Sequence, residues 1–183
     1  YDRNVFWARG GLPTGVVGAI EIALYDVLGK ATGQPVYRLL GGRAGEVRAY
    51  GSGRIAADAA GRVEQARTYA DRGFDTVKIR AMADPRATVD LVERALDALD
   101  GDAALALDAV QGSAADPWSV GEAIRLGHEL DDHADAIAWY EEPCRAENLD
   151  GYRRVRDATT VPVAGIETRV GRYAFRDAVE ADA

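Results

Sequence analysis

Apolar and polar positions along the chain follow two different periods. In "GVVGAIEIALYDVLGKATG" (residues 15–33), Val16, Ile20, Leu24, Val27 and Leu28 recur at helical spacing. That spacing predicts a helix, with Thr14 as its candidate N-cap and Gly33 and Pro35 at its end. A short piece, "VYRLLGG", closes this helical region. From residue 47 the pattern changes to apolar runs: "VRAY" (47–50), "TVKI" (76–79), "ALALDAV" (104–110), "AIAWY" (136–140) and "VPVAGI" (161–166). Amphipathic helical patterns lie between them, near 58–72, 85–99, 117–131 and 148–157, and a fifth begins in "GRYAFRDAVEADA". Strands alternating with helices at this spacing predict parallel pairing through right-handed crossovers. The fold class is therefore α/β, either an open doubly wound sheet or a closed (β/α) barrel. No G-x-G-x-x-G turn follows the first strand, which weighs against a dinucleotide-binding sheet.

The 183 residues suffice for a packed core and for one or two domains. A hydrophobic share of 48% beside 28% charged residues is globular in character. No apolar run approaches the roughly 18 residues of a membrane span, and no signal-peptide pattern opens the chain. The net charge of −8 argues against nucleic acid or an anionic membrane as partner. Cys144 is the single cysteine. It excludes an internal disulfide framework and fits a reducing, cytoplasmic setting.

Strands of a parallel sheet covered on both faces should be almost wholly apolar. Three of these strands instead end in acids: Asp108 after "LAL", Glu141 and Glu142 in "WYEEP", and Glu167 after "VAGI". Singly, each is equally well explained as a loop cap or an arginine partner. Three successive strands ending alike favour a shared site, because the C-terminal strand ends of a barrel converge on one mouth. Asp108, Glu141 and Glu167 would then repel unless a cation lay between them, and oxygen-only ligation selects a hard ion such as Mg²⁺.

Only two of the 22 basic residues are lysines, Lys30 and Lys78, and Lys78 falls inside a strand. Side-chain alternation places Thr76, Lys78 and Arg80 on one face and Val77 and Ile79 on the other. With Val77 and Ile79 packed under helices, Lys78 and Arg80 point toward the acids. Two cations facing three carboxylates suit an anionic, metal-chelating substrate. The same arrangement also serves as a purely structural charge network.

The order K-x-R (78–80), "LALDAVQG", "WYEEP", "VPVAGIE" resembles the enolase superfamily, specifically its mandelate racemase-like branch. "AIEIALYDVLGKATGQPVYRLLGG" is similar to the helical part of that family's capping domain. The resemblance runs over essentially the whole chain. It implies that residues 1–45 are the helical end of an α+β capping domain, and that residues 46–183 are the first five βα units of a partial TIM-type barrel. It also implies that Asp108, Glu141 and Glu167 are Mg²⁺ ligands, that Lys78 and Arg80 are the cationic pair ending the second strand, and that Glu142 is an acceptor beside the ligands. The reaction implied is abstraction of the proton α to a carboxylate of a small molecule, in a homo-oligomer when the protein is complete.

Three positions depart from the family pattern. Arg80 replaces a lysine that often serves as base, and a guanidinium stays protonated. Val110 stands where asparagine is common, and Ile166 where glycine is common. The arginine tilts the expectation toward a sugar-acid dehydratase, with racemase, epimerase or cycloisomerase as alternatives. A non-catalytic metal-binding remnant is the reading from another class. His128 and His133 read as surface residues, Cys144 as a packed thiol, and Trp118, Trp139 and Tyr140 as packing residues. A complete barrel needs about 250 residues, so the aspartate–histidine dyad of the family is expected on strands this sequence does not contain. The 183 residues mixed with Mg²⁺ and sugar acids should accordingly yield no 2-keto-3-deoxy product at an enzymatic rate. Turnover of about 1 s⁻¹ or more would show the dyad to be dispensable.

Overall fold

The structure, a computed structural model, describes residues 10–54 and 58–183; the first nine residues of the expected capping piece lie outside that range. Helix α1 spans Gly11–Thr32. It opens on Gly10 without a side-chain cap and ends on Gly33, whose φ of 63° and N–H bond to the Gly29 carbonyl form a left-handed stop. Thr14 lies inside the first turn, so the predicted cap is displaced by four residues. At 22 residues, α1 is long and apolar enough to cross a membrane by length and composition. That corrects the sequence-based statement that no such segment exists. Glu21 and Asp26 break the apolar run without much lowering its average, and a helix from the core of a soluble enzyme passes the same test. A short helix, α2 (Val36–Leu39), follows Pro35.

The remaining elements alternate: β1 (Gly51–Ser52), α3 (Ala59–Asp71), β2 (Thr76–Arg80), α4 (Pro85–Leu99), β3 (Ala104–Asp108), α5 (Val120–Asp131), β4 (Ile137–Glu141), α6 (Leu149–Ala158), β5 (Val163–Ala164) and α7 (Arg172–Glu180). The five strands form one parallel sheet in sequential order. Two compact units are present. One holds the described part of Tyr1–Arg48 with Arg169–Asp177, and the other holds Ala49–Thr168 with Ala178–Ala183.

The helices start where their sequence chemistry says they should. Asp58, Asp84 and Asn148 each accept a backbone N–H of the first turn. Ser119 and Glu122 form a reciprocal capping box that opens α5 three residues later than the periodicity suggests. Val77, Ile79, Leu105, Leu107, Ile137 and Tyr140 face the helices and pack with Leu91, Leu99, Leu126, Leu130 and Val155 in one core. β3 and β4 slip register between Leu105 and Ala106, whose partners are Ile137 and Trp139. The extra residue, Ala138, lets Ile137 and Tyr140 both face the core, and it turns Trp139 and Glu141 to the opposite face.

The edge strands differ most from expectation. β1 is Gly51–Ser52 rather than residues 47–50, because a Cβ at Gly51 would fall 2.5 Å from the Tyr69 ring. Only glycine lets this strand lie against α3. β5 shrinks to two residues between Pro162, which has no N–H, and Gly165–Ile166, where the chain turns.

Below the sheet, Asp131 at the end of α5 ties down the approach to β5. Its Oδ1 accepts from Thr159 Oγ1 at 2.6 Å, from the Thr160 amide at 2.7 Å, from Thr160 Oγ1 at 2.8 Å and from the Val161 amide at 3.3 Å. Burial pushes this carboxyl up, but the donors outweigh it and hold it below the usual aspartate range. A depressed folded pKa stabilises above the unfolded value of about 3.9, and that contribution is lost as pH falls through the folded value. Asp131→Ala should therefore cost about 1–3 kcal/mol at pH 7 in thermal unfolding, and its gap from the parent should narrow below pH 4 or so.

Candidate functional site

Two side-chain rows cross the inner face of the sheet at its C-terminal end. The first runs Ser52, Lys78, Ala106, Trp139 and the second Arg80, Asp108, Glu141, Ala164. Ala106 is small, so Lys78 can lean across it toward the second row. The Lys78 ammonium reaches Glu141 Oε1 at 2.7 Å and Asp108 Oδ2 at 3.7 Å. Arg80 Nη1 lies 3.9 Å from the same Asp108 oxygen, and its Nε has no hydrogen-bond partner. The other Asp108 oxygen accepts the Val110 amide at 2.9 Å. Lys78 and Asp108 are 7% and 2% exposed, so these charges interact in a medium much less screening than water.

Burial disfavours the charged form of Lys78, but the hydrogen bond and charge of Glu141, with the charge of Asp108, raise its pKa overall. Asp108 is raised as well, by burial first and then by repulsion from Glu141, against the opposing pull of Lys78, Val110 and Arg80. Asp108 and Glu141 thus share one close ammonium, with the Arg80 guanidinium farther off.

Two participants escaped the sequence analysis. Trp139 donates its indole N–H to Glu141 Oε2 at 2.8 Å, so it belongs to the site and not only to packing. The Tyr50 ring packs edge-on against Trp139, with centroids 5.0 Å apart, and faces the Lys78 ammonium at 5.5 Å. Counting back two positions from Glu141 along its strand would have found Trp139. Nothing comparable marks Tyr50, which precedes the observed strand.

The strand ends turn sharply. Val110, Glu142 and Ile166 have φ of 60°, 51° and 67°. This left-handed region suits asparagine and glycine and strains β-branched residues. It is a physical reason for the asparagine and glycine common at the positions of Val110 and Ile166.

Glu142, 1% exposed, turns under the sheet end. Its Oε1 accepts the Glu167 amide at 3.0 Å. A Cβ at Gly112 would lie 1.4 Å from Oε2, so that glycine makes room for the carboxylate. Burial raises the Glu142 pKa; the Glu167 amide opposes it, while the Glu167 charge adds to it.

The structure brings Lys78, Arg80, Asp108 and Glu141 together. Glu167 lies at the same end of the sheet, three residues past β5, but it is exposed. Among the described residues no three Asp, Glu, His or Cys side chains form a ready metal cage. Grip on the Glu167 amide by Glu142, together with the turn at Ile166, sets where that acid stands. Arg62 on α3 binds the Arg80 carbonyl at 2.8 Å and the Ala81 carbonyl. Trp118 joins the loops after β2 and β3, through its indole to the Ala83 carbonyl and its amide to Gln111. His128 is exposed and His133 half-buried beyond α5, both away from this end. Cys144 is buried, and burial pushes its thiol up to about 11, an inert state.

A parallel βα sheet with its charged side chains gathered at the C-terminal strand ends is the plan of a barrel enzyme. The family model for enolase C-terminal domain-like proteins matches residues 61–183, and the chain belongs to that family. D-galactarolactone cycloisomerase of Agrobacterium fabrum is 38% identical over 94% of this chain and 45% of its own length. Arabinonate dehydratase of Saccharolobus solfataricus is 28% identical over 96% and 46%. Further relatives include dehydratases of galactonate, xylonate and mannonate, and an L-Ala-D/L-Glu epimerase. Among solved structures, an enolase from Bradyrhizobium complexed with magnesium and mandelic acid superposes with a TM-score of 0.86 at 30% identity, over 100% of this chain and 49% of that one. The fold is thus that of enolase-superfamily barrel proteins. The chain spans about half the length of the curated relatives it matches.

Replacing Val110 by asparagine should relieve its left-handed strain and stabilise the fold by about 1 kcal/mol, which for a chain of this size raises Tm by about 2–4 °C. An unchanged or lower Tm in calorimetry would mean that packing of the valine compensates for its backbone.

Proposed function

We propose that the protein of which this chain is part is a Mg²⁺-dependent enzyme that removes the proton α to a carboxylate and so eliminates water from a sugar acid. The observation that carries the reading is the Lys78 ammonium held 2.7 Å from Glu141 and 3.7 Å from Asp108, with Arg80 beside them on the same strand. Residues 1–45 would form the end of a capping domain and 46–183 the first five barrel units. The assembled protein would be a cytoplasmic homo-oligomer.

The donor set fits a hard divalent cation. Asp108 and Glu141 offer only carboxylate oxygens, in register on adjacent strands, and Glu167 stands at the same sheet end as a third. Three carboxylates exceed the two cations that face them. A divalent ion reverses that balance and leaves a place for one substrate carboxylate. When bound, Mg²⁺ supplies Lewis-acid stabilisation of negative charge developing on that carboxylate.

This chain's own residues do the rest of what it contributes. Lys78, kept charged by Glu141 and Asp108, presents an ammonium toward the substrate carboxylate and stabilises the enediolate electrostatically. Arg80 adds a second fixed positive charge beside Asp108. Neither removes a proton, so proton transfer falls to groups outside these residues. β-Elimination needs one acid–base group on one face, whereas racemisation needs a base on each, and Arg80 makes a poor one. Cycloisomerisation of a sugar lactone is a second reading, favoured by the 38% identity to a cycloisomerase.

Aldonates, aldarates and their lactones supplied to the natural protein with Mg²⁺ separate these readings: dehydration releases 2-keto-3-deoxy acids, and cycloisomerisation consumes lactone with no loss of water. Lys78→Met, assayed with Mg²⁺ and at a temperature where circular dichroism shows the variant folded, should lower kcat/KM at least about a hundredfold. Arg80→Lys should retain binding and gain α-proton exchange with deuterated solvent, because a lysine of lowered pKa can act as base. Wild-type activity in Lys78→Met would make the lysine structural.

A further inference from the structure

We propose that Tyr50 is a positioning residue whose ring face holds the Lys78 ammonium in place for a substrate carboxylate. This rests on the reading of Lys78 as the group that meets that carboxylate.

The ammonium lies over the Tyr50 ring, 5.5 Å from its centroid, inside the roughly 6 Å over which a ring face attracts a cation. Lys78 is almost wholly buried, and such an attraction is stronger for a desolvated cation than at a wet surface. The ring is itself held. It meets Trp139 edge-on, with centroids 5.0 Å apart at 77°. The Trp139 indole donates to Glu141 Oε2 at 2.8 Å, and Glu141 Oε1 accepts the Lys78 ammonium at 2.7 Å. These contacts close a circle through Tyr50, Trp139, Glu141 and Lys78, so each member is braced from two sides.

The backbone brings Tyr50 to this place through two close approaches. Gly51 lies against the Tyr69 ring of α3, where a Cβ would be 2.5 Å from it, so the preceding Tyr50 turns to the opposite, inner face. Gly53 donates its amide to the Lys78 carbonyl at 2.8 Å, and a Cβ there would come 3.1 Å from that oxygen. β1 is thereby locked in the register that pairs Ser52 with Lys78. The contacts of Tyr50 to Trp139 and Lys78 are made by its ring and not by its hydroxyl. A ring face attracts a cation without taking a localised hydrogen bond, so the N–H donors of Lys78 stay available to carboxylate oxygens.

Two measurements on the natural protein test this. Tyr50→Phe should keep wild-type kcat/KM toward sugar acids or their lactones with Mg²⁺. Phenylalanines bearing one, two and three ring fluorines at position 50 keep the shape of the ring and progressively withdraw electron density from its face. Along that series kcat/KM should fall at each step, to about a tenth at the end, the loss expected of a buried cation–ring attraction. A flat series would mean that the ring only packs, which overturns the inference and leaves the role of Lys78 standing. The second measurement needs no turnover. In proton NMR the ε-methylene signals of Lys78, identified by their loss in Lys78→Met, should lie upfield of ordinary lysine because the ring shields them. Signals at the ordinary position would refute the contact itself. A protein that turns over none of these substrates sinks the reading of the site, and the NMR shift then decides alone whether the ring holds the ammonium.

Discussion

One ammonium group organises the charged end of this sheet. Lys78 sits in the middle of a buried strand, where a lone cation would be costly, and it is held there by Glu141 and Asp108 from the two strands that follow. Remove it and buried Asp108 faces half-buried Glu141 with only Arg80, 3.9 Å from the aspartate, to offset the repulsion. The small Ala106 beneath it, the Tyr50 ring beside it and the Trp139 bond to its partner all serve the same placement. Breaking a buried pair from one side typically costs several kcal/mol, mostly as the uncompensated charge left behind. Conservation of charge balance, more than any single contact, is what this end of the molecule must satisfy.

The interior of the fold was legible because β2, β3 and β4 are central strands, paired on both sides and packed under helices on one face. Their apolar runs have one structural meaning, and the helices between them carry their own start signals, such as Ser119 with Glu122. The edges were not legible. Gly51–Ser52 contains nothing that favours a strand locally; it is one because Tyr69 of α3 packs where a side chain would be. Likewise the cap expected at Thr14 gave way to a helix that simply starts earlier. Tertiary packing decided these cases, and packing is not written in short-range pattern.

The candidate site divides along the same line. Alternation along β2 and the acids ending β3 and β4 sufficed to bring Lys78, Arg80, Asp108 and Glu141 to one face. Trp139 was hidden because an aromatic in a strand reads as core, and because the bulge at Ala138 changes the phase between Ile137 and Glu141. The exposure of Glu167 depends on the turn at Ile166 and on Glu142 holding its amide. Both are backbone events that a one-letter sequence shows only as an unusual isoleucine.

The two ends of the sheet bear opposite burdens. At the upper rim, three successive strands exit through left-handed residues, two of them β-branched, beside buried like charges. At the lower rim, one oxygen of Asp131 collects four neutral donors from Thr159, Thr160 and Val161. Stability is thus stored away from the place where it would be spent. An engineer seeking a tougher protein has most room at the lower rim and around Asp131, where reinforcement does not touch the charged groups of the upper rim. The upper rim is held in a costly arrangement by the rest of the fold, and easing that arrangement risks the function it supports.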